Sequence, residues 1–438
     1  LVKASLSVQA GWFRQTAPYI NTHRGKTFII LLPGEALEHS NFANILHDLT
    51  LLNSLGIRLV LVHGARQQIE QALAAAGLAC HYHKGRRVTD KAALALIKQV
   101  VGELRLQLEA ALSMGLPNSP MHGAAMRLVS GNFVTAKPLG VHDGIDYGYT
   151  GEVRKLDKAA IIRQLDHNAI VLLSPLGYSV TGETFNLGVE EVAVVAAIKL
   201  AADKLLCLGE QTGVLDEQQK LIRELDLSRA LHLADYYQGQ GIEGHIRAAY
   251  QVCQAGVGRA HLISYQTNGA LLQELFTRDG IGTLFTGEVY EQIRTATIDD
   301  VGGLLQLIQP LEEQGVLVRR SRDLLEAEID QFVVIERDGM VIACAALYPF
   351  MDQHMAEVAC MVVSPAYRGA DRGQRLLQYI EHKASRLGLA RLFVLTTRTA
   401  HWFVEQGFIP QSIDILPEQR QQLYNLQRNS KVFVKRLN

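Results

Sequence analysis

Apolar positions along the first half of the chain alternate between short unbroken runs and longer stretches of helical spacing. Residues 26 to 32 form an apolar run of strand length closed by Pro33-Gly34, and Phe42 to Leu55 then repeats apolar residues at helical intervals up to Gly56. Ile57 to Val62 predicts a second buried strand ending in His63-Gly64-Ala65, followed by a helix over 66–76. A long helix over 90–112, a strand over Ala169–Ser174, a helix over Glu190–Lys199 and a strand over Lys204–Leu208 continue the pattern. After a polar stretch from Asp216 to Gln240 come a helix over 243–255 and the segments Arg259–Ser264 and Ala270–Phe276. Arg127–Ser130 and Phe133–Ala136, around Gly131-Asn132, predict a hairpin-like pair. Such strand–helix alternation predicts a parallel sheet covered by helices on both faces.

Near residue 290 the pattern changes. A short strand over Ile293–Thr297, a helix capped by Asp299 or Asp300 and running to Leu311, and a helix over 321–330 come first. Phe332–Glu336 and Met340–Leu347 flank Arg337-Asp338-Gly339, a hairpin signal. Val358–Val363 is an apolar strand, and Gln374–Leu387 places Leu376, Leu377, Ile380, Ala384 and Leu387 on one helical face. Strands over Ala390–Thr396 and Ser430–Arg436 enclose a short helix over His401–Gln406. The expectation is α/β: a helix over 1–20, a parallel-sheet αβα domain over 21–287, a linker over 288–293, and a mixed α+β domain over 294–438 with a largely antiparallel sheet.

Composition narrows the classes. The 438 residues exceed one ordinary core, and 48% hydrophobic with 20% charged residues suits a globular protein. Lys plus Arg (43) nearly balances Asp plus Glu (44), so no whole-chain field draws it to nucleic acid or membrane, and any anion site is local. Cys80, Cys207, Cys253, Cys344 and Cys360 are scattered and odd in number, which argues for reduced thiols and against a disulfide frame or a metal site. With neither a secretion signal nor an apolar run of membrane-spanning length, the expected location is cytoplasmic.

The chemistry concentrates in Glu357 to Leu377. An apolar strand is followed by Ser364-Pro365, a loop rich in Arg and Gly, and an amphipathic helix. Backbone N–H groups around Arg368, Gly369 and Gly373 and a helix N-terminus converge there, a recipe for gripping a pyrophosphate. Glu357 stands at the mouth of the strand, where it is a candidate base or an ordinary strand-end carboxylate.

Arg368-Gly369-Ala370-Asp371-Arg372-Gly373, with Trp402-Phe403-x-x-x-Gly407-Phe408 downstream, resembles the acetyltransferase superfamily that uses acetyl-CoA (GNAT). Asp371 departs from its Gly-rich loop pattern, and Phe403 stands where that superfamily often has a Tyr acid. Val62-His63-Gly64-Ala65, Arg87-Val88-Thr89-Asp90, Ser130-Gly131-Asn132, Phe185-Asn186-Leu187 and Glu274 to Thr283 resemble the amino acid kinase family. A working kinase needs a Lys in its first Gly-rich turn; Leu31-Leu32-Pro33-Gly34 has none, and Gly209-Glu210 replaces Thr-Asp, so kinase chemistry is expected to be lost. The two domains together, with Leu317 to Arg322, Leu395 to Arg398 and Tyr424-Asn425-x-x-Arg428-x-Ser430-Lys431, resemble the bacterial N-acetylglutamate synthases.

That resemblance implies acetyl transfer from acetyl-CoA to the α-amine of L-glutamate, the first step of arginine biosynthesis, with feedback inhibition by L-arginine. It implies Glu357 as base, with water or bulk solvent as the other route, and Thr396 as a candidate to assist the departing thiolate. Cys360, Met361, Val362 and Val363 would polarise the thioester through backbone N–H groups, and Arg368 to Gly373 would hold the CoA phosphates. Cys360 itself reads as packing ahead of an acetylated nucleophile. Arg320, Arg428 and Ser430 would take the glutamate carboxylates, which suit planar guanidinium groups. Tyr19, Lys204, His261, Glu274, Gly280 and Gly282 would form the arginine site. A homo-oligomer is implied, with a hexamer among the options. The alternatives are an acetyltransferase for another amino acid and a non-catalytic arginine sensor.

Overall fold

The computed structural model describes residues 13–14, 16–113, 122–124, 126–277, 279–287, 291–337, 339–368, 371–397, 399–422 and 430–437. Gly369, Ala370 and Arg428, all expected at the site, lie outside the described residues. The chain divides into compact units, Leu1–Glu288 and Val289–Asn438.

In the first unit the described residues form an eight-stranded sheet, in the order Glu224–Asp226, Thr283–Thr286, Arg259–Ser264, Lys204–Gly209, Thr27–Leu32, Arg58–His63, Ile170–Leu173 and Leu128–Ser130. Neighbours pair in parallel except Arg259–Ser264 with Thr283–Thr286, which run antiparallel. Every residue of Thr27–Leu32 is buried. Ile29 and Leu31 pack into one cluster with Ala193, Ala196 and Ile246, while Phe28, Ile30 and Leu32 pack into another with Leu46, Leu49 and Leu271. Burial on both faces is why this strand reads as an unbroken apolar run, without alternation.

Two expectations for this unit are corrected. Leu128–Ser130 does not form a hairpin with its successor: it pairs with Ile170–Leu173 in the large sheet. Val134–Pro138 instead joins a separate sheet, between Leu176–Tyr178 and Gly151–Leu156. Val134 and Ala136 are buried between the layers, so burial overrides the turn signal of Gly131-Asn132. The polar stretch after Asp216 contains a helix, Leu227–Tyr236, whose first turn is capped by the Asp226 carboxylate accepting from the Arg229 N–H at 3.0 Å. Its buried stripe is only Ala230 and Ala234, too small to register as an apolar period.

The second unit is a mixed sheet, seven strands among the described residues, in the order Glu291–Thr295, Phe332–Arg337, Met340–Phe350, Met355–Val363, Arg391–Thr396, Lys431–Arg436 and Ile409–Gln411. Its pairs are antiparallel except Met355–Val363 with Arg391–Thr396. The helix Arg372–Arg386 covers one face through Leu376, Leu377 and Ile380. Val301–Glu313 and Arg322–Ala327 cover the other through Leu304, Ile308 and Leu325. The helix expected over 321–330 ends at Ala327 and gives way to a 3-10 turn at Ile329–Gln331. Among the described residues, no helix is long and apolar enough to cross a membrane. All five cysteines are free thiols.

Candidate functional site

The parallel ladder of the second unit is short: Met355, Ala356 and Glu357 oppose Arg391, Leu392 and Phe393, and pairing stops there. Beyond Glu357 the edge of Met355–Val363 no longer hydrogen-bonds to the strand beside it, so it offers backbone donors and acceptors to an extended ligand. Within this unpaired length lies a bulge. Ala346 opposes Ala359 and Cys344 opposes Val362, and Cys360 takes a left-handed φ of 50°.

The bulge changes which side chains share a face. Ala356, Val358, Met361 and Val363 pack with the Arg372–Arg386 helix, whereas Cys360 and Val362 pack with Leu304, Ile308 and Leu325. Regular alternation would put Cys360 beside Val358. The extra residue moves it to the face that Glu357 shares with Tyr348, which stands directly opposite Glu357 across the ladder. A β-branched or bulky residue at such a φ is strained; Cys is small enough to tolerate it.

Glu357 is 8% exposed. Arg420 donates to both its oxygens, Nε to Oε2 at 2.6 Å and Nη2 to Oε1 at 3.1 Å. Thr396 ends the neighbouring strand, three residues past the last paired position and so about 10 Å further along. Its Oγ1 lies 2.9 Å from the Thr399 hydroxyl and accepts the Thr399 N–H at 3.1 Å. Thr396 pairs with Lys431, next to the buried Ser430, so Thr396 and Ser430 meet at one end of the sheet. Phe403 is core, its ring 5.4 Å from that of Phe408.

Across the anion loop, Arg368 is exposed and Asp371 precedes the Arg372–Arg386 helix with φ 49°. Gly373 lies close against Trp402, where a Cβ would come within 3.3 Å of the indole. Arg372, expected among the residues holding the CoA phosphates, uses its side chain within the protein. Its Nε donates to Glu291 at 2.7 Å and its Nη1 to the Tyr367 carbonyl at 3.0 Å. Arg337 and Arg375 also bond Glu291, which is held below the usual carboxylate range: burial raises it, and the surrounding guanidinium groups outweigh that. What Arg372 offers an anion is its backbone at a helix N-terminus.

Arg320 lies on the other helical face, bordering an open cleft of about 360 Å³ lined also by Leu305, Gln309, Glu312, Glu313 and Arg319. The guanidinium is half-buried but keeps its charge, as arginine does, with Tyr348, Glu328 and Cys360 as its neighbours.

In the first unit, Lys204, His261, Glu274 and Gly282 come together. Glu274 accepts from His261 Nδ1 at 2.7 Å through Oε1, and from the Ile281 and Gly282 N–H groups at 2.7 and 2.8 Å through Oε2. Burial alone would raise its pKa; these hydrogen bonds bring it down to about 2. His261 Nε2 faces the Lys204 ammonium at 3.4 Å, and burial together with Lys204 keeps the imidazole neutral. Glycine is required around this carboxylate: a Cβ on Gly280, whose φ is 57°, would lie 2.5 Å from Glu274 Oε2, and one on Gly282 would lie 2.2 Å from the Leu262 carbonyl oxygen. Tyr19 packs against the cluster holding Leu275 and Phe276. His23, which the sequence did not single out, completes the group: its Nε2 lies 2.9 Å from the Leu275 carbonyl oxygen and its ring 5.3 Å from Phe28.

Comparisons with known proteins follow this division. Residues 26–264 match the amino acid kinase family and residues 328–410 the acetyltransferase (GNAT) domain. The amino-acid acetyltransferase of Ectopseudomonas mendocina is 58% identical over 430 residues, covering 97% of this chain and 99% of the relative. This chain belongs to the amino-acid acetyltransferase family. The Azotobacter vinelandii amino-acid acetyltransferase is 59% identical over 431 residues, with the same shares of each chain covered. Among solved structures, N-acetylglutamate synthase from Neisseria gonorrhoeae complexed with coenzyme A and L-arginine is 40% identical with a TM-score of 0.89, over 98% of this chain and 99% of that one. The same synthase complexed with coenzyme A and N-acetyl-glutamate is 41% identical with a TM-score of 0.63, over the same shares. For an amino-acid acetyltransferase, the split ladder and the bulge are the features that bring a carboxylate and unpaired backbone donors to one place. Arg420, Tyr348, Glu328 and Glu291 are the neighbours that sequence reasoning missed. None carried a local motif, because each acts on a residue distant in sequence.

Proposed function

We propose that this chain transfers acetyl from acetyl-CoA to the α-amine of L-glutamate, and that its first unit binds L-arginine and lowers that activity. The observation that carries the reading is the cleft-side guanidinium of Arg320, a neighbour of the Cys360 bulge on the face that Glu357 occupies. A dicarboxylate acceptor needs a guanidinium there, and its amine needs a base. The binding of coenzyme A, N-acetyl-glutamate and L-arginine by the gonococcal synthase supports the assignment of all three ligands.

In this reading acetyl-CoA lays its pantetheine along the unpaired edge after Glu357. Its pyrophosphate meets Arg368 and the backbone from residue 369 to Gly373, and its thioester carbonyl accepts from N–H groups within Cys360 to Val363. Glu357 takes a proton from the glutamate ammonium, directly or through water, so that the amine attacks the thioester carbon; the C–N bond forms as the C–S bond breaks. Thr396 stands near the departing thiolate. Arg320, Arg428 and Ser430 take the carboxylates of glutamate. Among the described residues no group of His, Cys, Asp and Glu is arranged to hold a metal ion, and this route uses none.

In the first unit the kinase reaction is absent from the reading. Pro33-Gly34 supplies no lysine, a Cβ on Gly34 would lie 2.2 Å from Gln68 Oε1, and one on Gly64 would lie 3.0 Å from the Gly34 nitrogen, so protein closes the turn. The Glu274 cluster is the effector site, where arginine competes with His261 for the carboxylate. The working assembly is a homo-oligomer, which light scattering will size.

Purified protein with acetyl-CoA and glutamate should release CoA, and added arginine should suppress that release. Release with another amine but none with glutamate would overturn the acceptor assignment; an unchanged rate across an arginine titration would overturn the regulatory one.

A further inference from the structure

The segment before Arg320 is fixed from both sides. The Val316 and Leu317 N–H groups turn back to the Leu311 carbonyl at 2.8 and 3.1 Å, and the Arg320 N–H donates to Glu312 Oε1 at 2.9 Å. Ser321 then caps the Arg322–Ala327 helix by accepting from the Leu324 N–H at 3.2 Å. The backbone thus delivers Arg320 to one spot, where Nη1 donates to the Val318 carbonyl at 3.2 Å. The rest of the guanidinium meets Tyr348, with Glu328 behind it.

Tyr348 donates its one hydroxyl proton to Glu328 Oε2 at 2.7 Å. Burial and this bond together push the phenol up, so it stays protonated. With its proton directed at Glu328, the phenolic oxygen has only acceptor capacity left for the neighbouring Arg320 guanidinium. The order is guanidinium, phenol, carboxylate. That order matters because a carboxylate in direct contact with arginine forms a bidentate pair and uses up the donor fork. Tyr348 holds Glu328 one hydroxyl away. The negative charge remains near enough to orient Arg320, and the fork stays open for a second carboxylate.

We propose that Tyr348 and Glu328 are positioning residues for the amino-acid acceptor: the Tyr348 hydroxyl orients Arg320 and keeps Glu328 from capturing it. This rests on the reading that Arg320 binds an acceptor carboxylate. Because Tyr348 stands opposite Glu357 in the ladder, the same side chain fixes the distance between the carboxylate grip and the base.

The test is steady-state kinetics on the full chain with glutamate and acetyl-CoA, alongside thermal unfolding. Tyr348→Phe removes the spacer hydroxyl and should raise the glutamate KM about tenfold, leaving the acetyl-CoA KM within about twofold. Adding Glu328→Gln to Tyr348→Phe should bring the glutamate KM back toward the parent value, since a neutral amide does not capture Arg320. A structural role would instead make the double variant worse than either single one. Unchanged glutamate KM in Tyr348→Phe, equal shifts for both substrates, or no recovery in the double variant would overturn the proposal. Arg320→Ala separates it from its premise. If Arg320→Ala leaves the glutamate KM unaltered, the acceptor reading falls; if Arg320→Ala raises it and Tyr348→Phe does not, only the positioning role falls.

Discussion

Arg420 grips both oxygens of Glu357 from 63 residues further along the chain, with Nε at 2.6 Å and Nη2 at 3.1 Å. An ionised carboxylate has about four lone-pair sites, so this fork fixes its plane and leaves sites for a substrate ammonium. The carboxylate proposed as base is held in place by a bond that does not consume it.

Glu357→Gln keeps the shape and one acceptor but removes the proton-accepting oxygen. It should lower kcat about 10²- to 10⁴-fold with the acetyl-CoA KM within about twofold, read by thiol release. Activity at the parent level would assign deprotonation to solvent. Arg420→Met should act differently, leaving a buried carboxylate without its partner; unfolding should come at lower temperature, at a cost of about 1–3 kcal/mol.

Glu291 ties the first strand of the second unit to the start of the Arg372–Arg386 helix through Arg372, with Arg337 and Arg375 on the same carboxylate. Glu291→Gln leaves these guanidinium groups facing one another without a counter-charge. Thermal unfolding should shift down by several degrees, and the acetyl-CoA KM should rise while the glutamate KM holds. A matched rise in both would place the effect on the fold as a whole.

The parts of this molecule that could be read from the sequence are those in which local pattern and burial agree. Thr27–Leu32 is apolar because both its faces are covered, and Arg372–Arg386 carries the stripe Leu376, Leu377, Ile380 and Ala384 because one face of that helix is, while Leu387, expected on the same face, caps the helix and is exposed. The bulge at Cys360 could not be read, since nothing in Val358–Val363 marks a left-handed residue; glycine would have, but the position holds cysteine. Arg420 and Glu291 were silent for another reason. Their partners lie 63 and 81 residues away, beyond any periodicity. The hairpin expected around Gly131-Asn132 shows the converse: a sound turn signal connects two different sheets.

Gly280 leaves no room for a side chain beside Glu274, and Gly282 none beside the Leu262 carbonyl. Gly282→Ala should push residue 282 away from the Leu262 carbonyl and with it the N–H that donates to Glu274, costing about 1–3 kcal/mol. Isothermal titration of the variant with L-arginine should show affinity reduced at least about tenfold. Parent-level binding would move the effector site elsewhere.

Acid sensitivity of the first unit follows from its buried titrating groups. Burial lowers His23 and His63 from the ordinary value of 6.5 to about 4. Above pH 6.5 neither folded nor unfolded imidazole holds a proton, and they contribute no slope. Between 6.5 and 4 the unfolded chain binds protons that the folded one refuses, so stability falls with pH by on the order of 3 kcal/mol for each histidine. Glu274 acts in the next window: its pKa is brought from 4.5 to about 2, so the stability it contributes is present above 4.5 and is lost as pH falls toward 2. Asp48 opposes the histidines in part: burial raises it from 3.8 to about 7, so it adds stability as pH falls through that window. The unfolding temperature of this unit should therefore be flat above about pH 7, show a net decline between 6.5 and 4 where the two histidines outweigh Asp48, and continue to fall below 4 as Glu274 is protonated. Equal unfolding temperatures at pH 7.5 and pH 5 in an Asp48→Asn background, which removes the opposing carboxyl, would contradict the histidine part. His63 is fully buried with its Nε2 2.8 Å from the Ser174 hydroxyl, so His63→Gln should flatten the decline between pH 6.5 and 4 even where it lowers the plateau.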